Sequence, residues 1–242
     1  MLAVWWASTL ASDKMALFNY ELLVTAALSY LLGSIPFGYI LVRIFRGEDV
    51  RLSGSGNIGA TNVSRKSPLL GVLTLLLDAL KGSAAVALGI MLSPLVFLRI
   101  SLPHIPWRPI LQASLSSEFA MWTVTAVLFV LLGHMFPVWL KFRGGKGVAA
   151  ALGSFVLIAP KSVLAALGIF IAVVFVLRYV SLGSIAAVAC FPLVVWLTRE
   201  SGATPLSIGF VALASLLIIA RHHENIRRLL AGTEPRFQLR RG

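Results

Sequence analysis

Residues 162–178 read SVLAALGIFIAVVFVLR, a run that carries no charge before its final arginine. Six further apolar runs accompany it, and a helix needs about 20 such residues to cross roughly 30 Å of hydrocarbon. Hydrophobic residues make up 58% of the 242-residue chain. The sequence therefore predicts an all-α integral membrane protein with about seven transmembrane helices. The other six runs lie at 20–42, 69–92, 119–140, 147–160, 181–198 and 205–221.

The run at 147–160 is short and Pro160 closes it, so it is expected to be either a full crossing or a half-span held inside protein. Four prolines between residues 93 and 118 oppose a spanning helix there. The predicted organisation is an N-terminal extension (1–19), a membrane domain (20–221) with a long outer loop (93–118), and a basic tail (222–242) whose first residues belong to the active site.

Lysine and arginine set the orientation, because cytoplasmic loops of membrane proteins carry an excess of both. One side of the predicted helices collects most of these residues, and with seven spans that side also holds the C-terminus. The N-terminus is then expected outside and the C-terminus in the cytoplasm. The residues on the cytoplasmic side include Arg43, Arg46, Arg51, Arg65, Lys66, Lys141, Arg143, Lys146, Arg178, Arg221, Arg227 and Arg228.

The formal net charge of +12 raises the question of nucleic acid. The basic residues flank apolar spans, however, where retention at the inner face and anionic lipid explain them better, so no nucleic-acid partner is expected. The single cysteine and four histidines form no metal-ligand pattern. Neither a metal nor a cofactor is expected.

Three clusters rich in glycine, cations and amides stand at the predicted cytoplasmic helix ends. In the first, SGSGNIGATNVSR at 53–65, glycines permit close backbone approach while short polar side chains and Arg65 suit a phosphate. Its glycine spacing matches a dinucleotide fingerprint, but that motif requires a preceding strand, and a membrane span precedes it here. The simpler alternative is a tight turn with helix caps.

The second and third clusters are RGGKG at 143–147 and RHHEN at 221–225. RGGKG resembles a phosphate-binding loop but lacks the spacing and terminal Ser or Thr of nucleotide hydrolases. Positive charge in a short connector explains its arginine, whereas Lys146 between glycines is explained poorly in that way. In RHHEN, His222 and Asn225 share a helix face, although a solvated basic helix extension is an equal alternative.

Asp78 and Lys81 lie three residues apart within the second span. Each alone would cost roughly 2.5–3.5 kcal/mol at mid-depth. Pairing reduces that cost, so a structural ion pair is the preferred interpretation.

Six blocks of the sequence belong together: GSIPFG (33–38), SGSGNIGATNVSR (53–65), LDALKG (77–82), GHMFPVWLKFRGGKGVAAALG (133–153), RYVSLGS (178–184) and RHHENIRRLLAGTE (221–234). Together these blocks resemble the bacterial acyl-phosphate:glycerol-3-phosphate acyltransferases of the PlsY type. The resemblance implies an enzyme of the bacterial cytoplasmic (inner) membrane whose active site opens at the cytoplasmic face. It also implies transfer of an acyl chain from long-chain acyl phosphate to the sn-1 hydroxyl of glycerol 3-phosphate, giving lysophosphatidic acid and phosphate.

Site residues follow from these blocks by position. The resemblance implies catalytic roles for Ser55, Arg65, Lys146, Ser184, His222 and Asn225. Substrate-binding or phosphate-binding roles are expected for Gly54, Gly56, Asn57, Gly59, Thr61, Asn62, Gly144, Gly145, Gly147 and Ser181. The family's RHRENI reads RHHENI here, a departure at His223 that leaves His222 and Asn225 in place.

Acyl phosphate is already activated, so the expected catalysis is positioning and charge stabilisation, with substrate phosphate or neutral His222 taking the hydroxyl proton. Two other classes stay open: an anion transporter and a non-catalytic lipid-binding scaffold. A transporter would favour paired inverted repeats with broken helices at mid-membrane. The acyl-chain preference, the oligomeric state and the roles of the extension and outer loop are not encoded in any pattern of this sequence.

Overall fold

The computed structural model describes residues 20–93, 117–200 and 204–237. The extension and most of the outer loop lie outside these ranges. The described residues form helices and turns, and two short 3-10 helices occur at Val50–Leu52 and Val138–Leu140. The α-helices are α1 (20–34), α2 (Phe37–Arg46), α3 (Ala60–Lys66), α4 (Pro68–Met91), α5 (Ser117–Met135), α6 (Val148–Ile158), α7 (Pro160–Leu177), α8 (Val180–Thr198), α9 (Pro205–Ala220) and α10 (His223–Leu230).

Five segments in the described ranges are long and apolar enough to cross a membrane, with α1 and α2 counted together as one segment, Tyr20–Arg46. A sixth span arises if the bent pair α9 and α10 is counted as one. This result confirms an all-helical membrane fold. The shorter α6 has only 11 residues. The count of seven crossings and the placement of the two termini therefore stay predictions.

Prolines and interruptions of the helices shape three of the predicted spans. The first span is interrupted at residues 35–36, just before α2. The prediction that Pro160 closes α6 is wrong, because Pro160 is the first residue of α7. A proline at the first helical position loses no hydrogen bond. The break falls at Ala159, and α6 buries six of its residues, as a short segment surrounded by protein should.

Glycines allow the membrane helices to approach each other closely. An added side chain at Gly153 of α6 would collide with the carbonyl of Ala79 in α4, and one at Gly82 of α4 would collide with the carbonyl of Ala150. Gly133 meets the carbonyl of Tyr30 in the same way. Small residues at such crossings are the usual means by which helices associate in lipid, where apolar surface gives no driving force.

The predicted ion pair inside the second span is confirmed. Lys81 Nζ lies 2.6 Å from Asp78 Oδ1, and both side chains are at most 3% exposed. The same ammonium donates to the carbonyl of Ile35 at the break between α1 and α2. His134 Nδ1 approaches the same Asp78 oxygen at 3.5 Å. This buried group therefore ties α1, α4 and α5 together.

A small hydrophobic cluster supports the loop that follows α2. Its members come from α2, the first 3-10 helix, the loop before α3, α3, α4 and the second 3-10 helix, and all are at most 6% exposed. Burial of each such side chain contributes roughly 1.5–3 kcal/mol. The cluster consists of Val42, Val50, Ile58, Val63, Leu70 and Leu140.

Candidate active site

The first glycine-rich loop, residues 53–59, is built around the side chain of Asn62. Asn62 Oδ1 accepts from the backbone N–H of Ser55 at 2.9 Å. Its Nδ2 has three carbonyl acceptors, those of Val50, Ser53 and Asn57, at 2.9–3.1 Å. Because an amide has only two N–H bonds, Asn62 keeps none for a substrate. Its contribution is to hold the loop in shape.

Backbone conformation explains two of the loop's glycines. Gly54 and Gly56 have φ of +60° and +67°, a region that other residues enter only at a cost. Asn57 Oδ1 accepts from the backbone N–H of Gly59 at 2.7 Å and closes the turn before α3. Thr61, also predicted to bind phosphate, is exposed in the first turn of α3.

Arg65, near the end of α3, lies beside this loop. A side chain added at Gly54 would come within 3.3 Å of one of its guanidinium nitrogens. Arg65 is exposed, and none of the salt bridges among the described residues involves it. Its cation is therefore available to an anion above the loop.

The second glycine loop is fixed by the end of α5 and by the start of the tail. The backbone N–H of Gly144 donates to Met135 and that of Gly145 to His134. Arg221 donates to the carbonyls of both glycines at 3.3 Å. Any side chain at Gly145 would collide with the ring of His134, so only glycine fits.

The loop delivers Lys146 to the third cluster. Its ammonium donates to Asn225 Oδ1 at 2.5 Å, joining two residues that are 79 positions apart. Gly147 then begins α6 with φ of +91°. The contact confirms that the second and third clusters converge.

His222 occupies the turn between α9 and α10 and is 2% exposed. Its Nδ1 lies 2.8 Å from the carbonyl of Ile218. A carbonyl can only accept, so Nδ1 carries the proton and Nε2 has its lone pair available. Burial lowers the pKa of His222 to about 4, which keeps the ring neutral at ordinary pH.

Glu234 organises the other side of the cluster. Its Oε1 accepts from Ser181 Oγ at 2.6 Å and from Asn225 Nδ2 at 2.7 Å, while Oε2 accepts from Arg228 at 2.7 Å. Glu234 is only 8% exposed. It fixes the Asn225 amide so that Oδ1 faces Lys146.

Ser181 and Ser184, both predicted in the site, lie in the first turns of α8. Ser181 joins the cluster through Glu234. Ser184 Oγ donates to the carbonyl of Val180 in its own helix, and among the described residues it has no hydrogen bond to Lys146, His222 or Asn225.

Charges link the first cluster to the other two. Burial lowers the pKa of Lys146 to about 8, the Glu234 carboxylate opposes that shift, and the Arg65 guanidinium contributes to it. Each glycine loop therefore has a cation beside it, Arg65 at the first loop and Lys146 in the second, which is an arrangement suited to phosphate.

Residue-by-residue reasoning missed two parts of this site. Arg221 braces the second loop and stacks on Phe136, with its guanidinium carbon 5.1 Å from the ring centre. Glu234 was absent from the predicted site, although it is one of only two acids in the basic tail, which was a usable signal. Among the described residues, no group of histidine, cysteine or carboxylate side chains could hold a metal ion.

Comparisons with known proteins identify the family of this chain. Residues 23–232 match the family model described as "Glycerol-3-phosphate acyltransferase". The chain belongs to the glycerol-3-phosphate acyltransferase family. A glycerol-3-phosphate acyltransferase of Syntrophotalea carbinolica is 43% identical over 91% of this chain and 98% of its own length. That of Agrobacterium fabrum is 44% identical over 89% and 92%.

Two solved structures share the fold. A crystal structure of PlsY, described as an integral membrane glycerol 3-phosphate acyltransferase in its glycerol 3-phosphate form, is 35% identical with a TM-score of 0.73, covering 90% of this chain and 96% of that one. The lysophosphatidic acid form of PlsY is 34% identical with a TM-score of 0.70, covering 90% and 95%. These matches confirm the family prediction and an all-helical integral membrane fold.

Proposed function

We propose that this protein transfers an acyl chain from a long-chain acyl phosphate to the sn-1 hydroxyl of glycerol 3-phosphate, at the cytoplasmic face of the bacterial inner membrane. Lysophosphatidic acid and inorganic phosphate are the products, and the reaction serves phospholipid synthesis. The observation that carries this proposal is the contact of Lys146 with Asn225, beside neutral His222 and within the field of Arg65.

Both substrates are anions that carry a phosphate group. The ammonium of Lys146 and the guanidinium of Arg65 bind these phosphates, with the backbone N–H groups of the two glycine loops as additional donors. Asn225 and Glu234 hold Lys146 in place. The charge that builds on the departing phosphate is stabilised by groups that are already oriented before reaction.

The chemical step exchanges one bond for another. The sn-1 hydroxyl oxygen forms an ester bond with the acyl carbon while the bond between that carbon and the phosphate oxygen breaks. Phosphate leaves with the bonding pair, and the hydroxyl proton passes to a substrate phosphate oxygen or to Nε2 of His222. No covalent acyl-enzyme is required, because phosphate is a good leaving group.

The test mixes purified protein with palmitoyl phosphate and glycerol 3-phosphate, and measures lysophosphatidate. Palmitoyl-coenzyme A in place of palmitoyl phosphate tests the donor, and a positional assay of the product tests the sn-1 assignment. Product from the phosphate donor alone supports the proposal. No product from either donor, with phosphate flux in vesicles, would identify a transporter instead.

A further inference from the structure

A turn at residues 138–143, named here the 138–143 turn, connects α5 to the second glycine loop and exposes large apolar side chains. Trp139 is 64% exposed and Phe142 59% exposed. Lys141 and Arg143 alternate with them and are also exposed. In the described part of the chain, no salt bridge neutralises either cation.

The backbone of the turn is held in an unfavourable conformation. Lys141 and Phe142 have φ of 53° and 62°, the left-handed region that non-glycine residues rarely occupy. Hydrogen bonds fix it there, from Phe142 to the carbonyl of Pro137 and from Arg143 to that of Leu140. A rigid and strained backbone that presents two aromatic rings outward points to a use for those rings.

The inner side of the turn touches both glycine loops. Leu140 is 6% exposed and packs in the cluster with Val50 and Ile58, under the first loop. In the second loop, Gly144 follows the turn directly and donates to the carbonyl of Met135. Whatever holds the outer side of the turn therefore also restrains the loops that carry the site.

The position of the turn defines the occupant of its outer side. A candidate span, Met121–Leu140, ends within it, so Trp139 stands at the end of a membrane helix. Aromatic rings favour the headgroup level, and neighbouring lysine and arginine attract anionic lipid. We propose that the 138–143 turn is a binding surface for an anionic membrane phospholipid, which steadies both glycine loops of the proposed active site.

Native mass spectrometry of the full-length protein in detergent, with equal amounts of phosphatidylglycerol and phosphatidylcholine, tests this surface. The wild type is expected to retain phosphatidylglycerol preferentially. In Lys141→Gln/Arg143→Gln that preference should fall roughly 5-fold per removed cation. Arg46→Gln/Arg227→Gln removes two exposed cations of the same predicted side and is expected to keep the preference.

Further variants separate charge from folding. Lys141→Arg/Arg143→Lys retains both charges and should keep phosphatidylglycerol, whereas Trp139→Ser/Phe142→Ser should lose it. Equal retention by the wild type and the Gln pair would overturn the proposal. Displacement of the lipid by soluble glycerol phosphate would overturn it also, because the anion would then belong to the substrate pocket. These measurements need no turnover, so they stand or fall independently of the proposed acyl transfer.

Discussion

Two lysines of this protein are withdrawn from solvent to different degrees, and they differ in what their ammonium groups bind. Lys81, inside the membrane helices, contacts the carboxylate of Asp78 at 2.6 Å and a carbonyl at 2.9 Å, and its side chain is 1% exposed. Lys146, at the helix ends, binds a neutral amide oxygen of Asn225. The nearest carboxylate in that cluster, Glu234, is occupied by Ser181, Asn225 and Arg228.

The difference separates a charge that stabilises the fold from a charge that is kept for a ligand. A buried cation with a direct carboxylate partner has its electrostatic needs met within the protein. A half-buried cation that is desolvated but held by an amide keeps a strong attraction for an incoming anion. The following variants test that distinction.

The largest effect is expected for Lys81→Met. Removing one member of a buried ion pair leaves the charge of Asp78 uncompensated and should cost about 3–5 kcal/mol of stability. Thermal unfolding in detergent measures it, with Lys66→Met, which breaks a half-exposed pair with Glu48, as the control of small effect. Equal losses in the two variants would show that the pair inside the membrane is not structurally special.

The pair at 78 and 81 could be predicted because helix geometry brings residues three apart together. The contact of His134 with Asp78 could not, since it depends on how α4 and α5 pack. Asn62 shows the opposite limit. An asparagine side chain is suited to binding phosphate, yet in the structure the Asn62 amide donates to backbone carbonyls in and beside its own loop. Composition predicts a chemistry, and only tertiary structure decides which partner receives it.

Lys146→Met tests the second lysine. Methionine is similar in length to lysine but uncharged, so stability should change little while the rate of acyl transfer falls about 10²–10³-fold. Lysophosphatidate formation measures the loss. A variant that keeps the wild-type rate would exclude Lys146 from the site, and one that fails to fold would make it structural like Lys81.

Glu234→Gln probes the support of Lys146. A glutamine offers only one oxygen, so either Arg228 or the pair Ser181 and Asn225 loses its acceptor. Loss of a hydrogen bond to a charged group costs about 1.5–3 kcal/mol, and with it the fixed orientation of Asn225. We expect a lower unfolding temperature and a reduced rate. The matched control is Glu224→Gln, which removes an exposed acid whose ion pair with Arg228 is long, at 3.9 Å, and should change stability and rate little.

The pH dependence of the reaction should report on the ionisation of Lys146 and His222. The pKa of Lys146 is about 8, so its ammonium is present below that pH and is lost as the pH rises through it. Activity should then fall up to about tenfold per unit. Neutral His222, with a pKa of about 4, should limit the rate only near that acidic pH. In Lys146→Arg, the alkaline loss of activity should move to higher pH. If it stays at the same pH, the loss is due to the ionisation of another group.

The smallest effect is expected when both members of the Asp78–Lys81 ion pair are replaced together. Asp78→Leu/Lys81→Met removes both charges and supplies apolar side chains to an apolar site, and such replacements are often neutral or stabilising. The free energy of unfolding of the double variant should lie within about 1 kcal/mol of that of the wild type. Lys81→Met alone is much more destabilising, because it leaves the Asp78 charge without a partner, whereas the double variant leaves no unpaired charge. His134 would lose its carboxylate neighbour, so the rate of acyl transfer reports whether that contact matters for Gly145 and its loop. A double variant as unstable as the single one would mean that the pair contributes more than mutual neutralisation, and the contrast between the two lysines would then be one of degree.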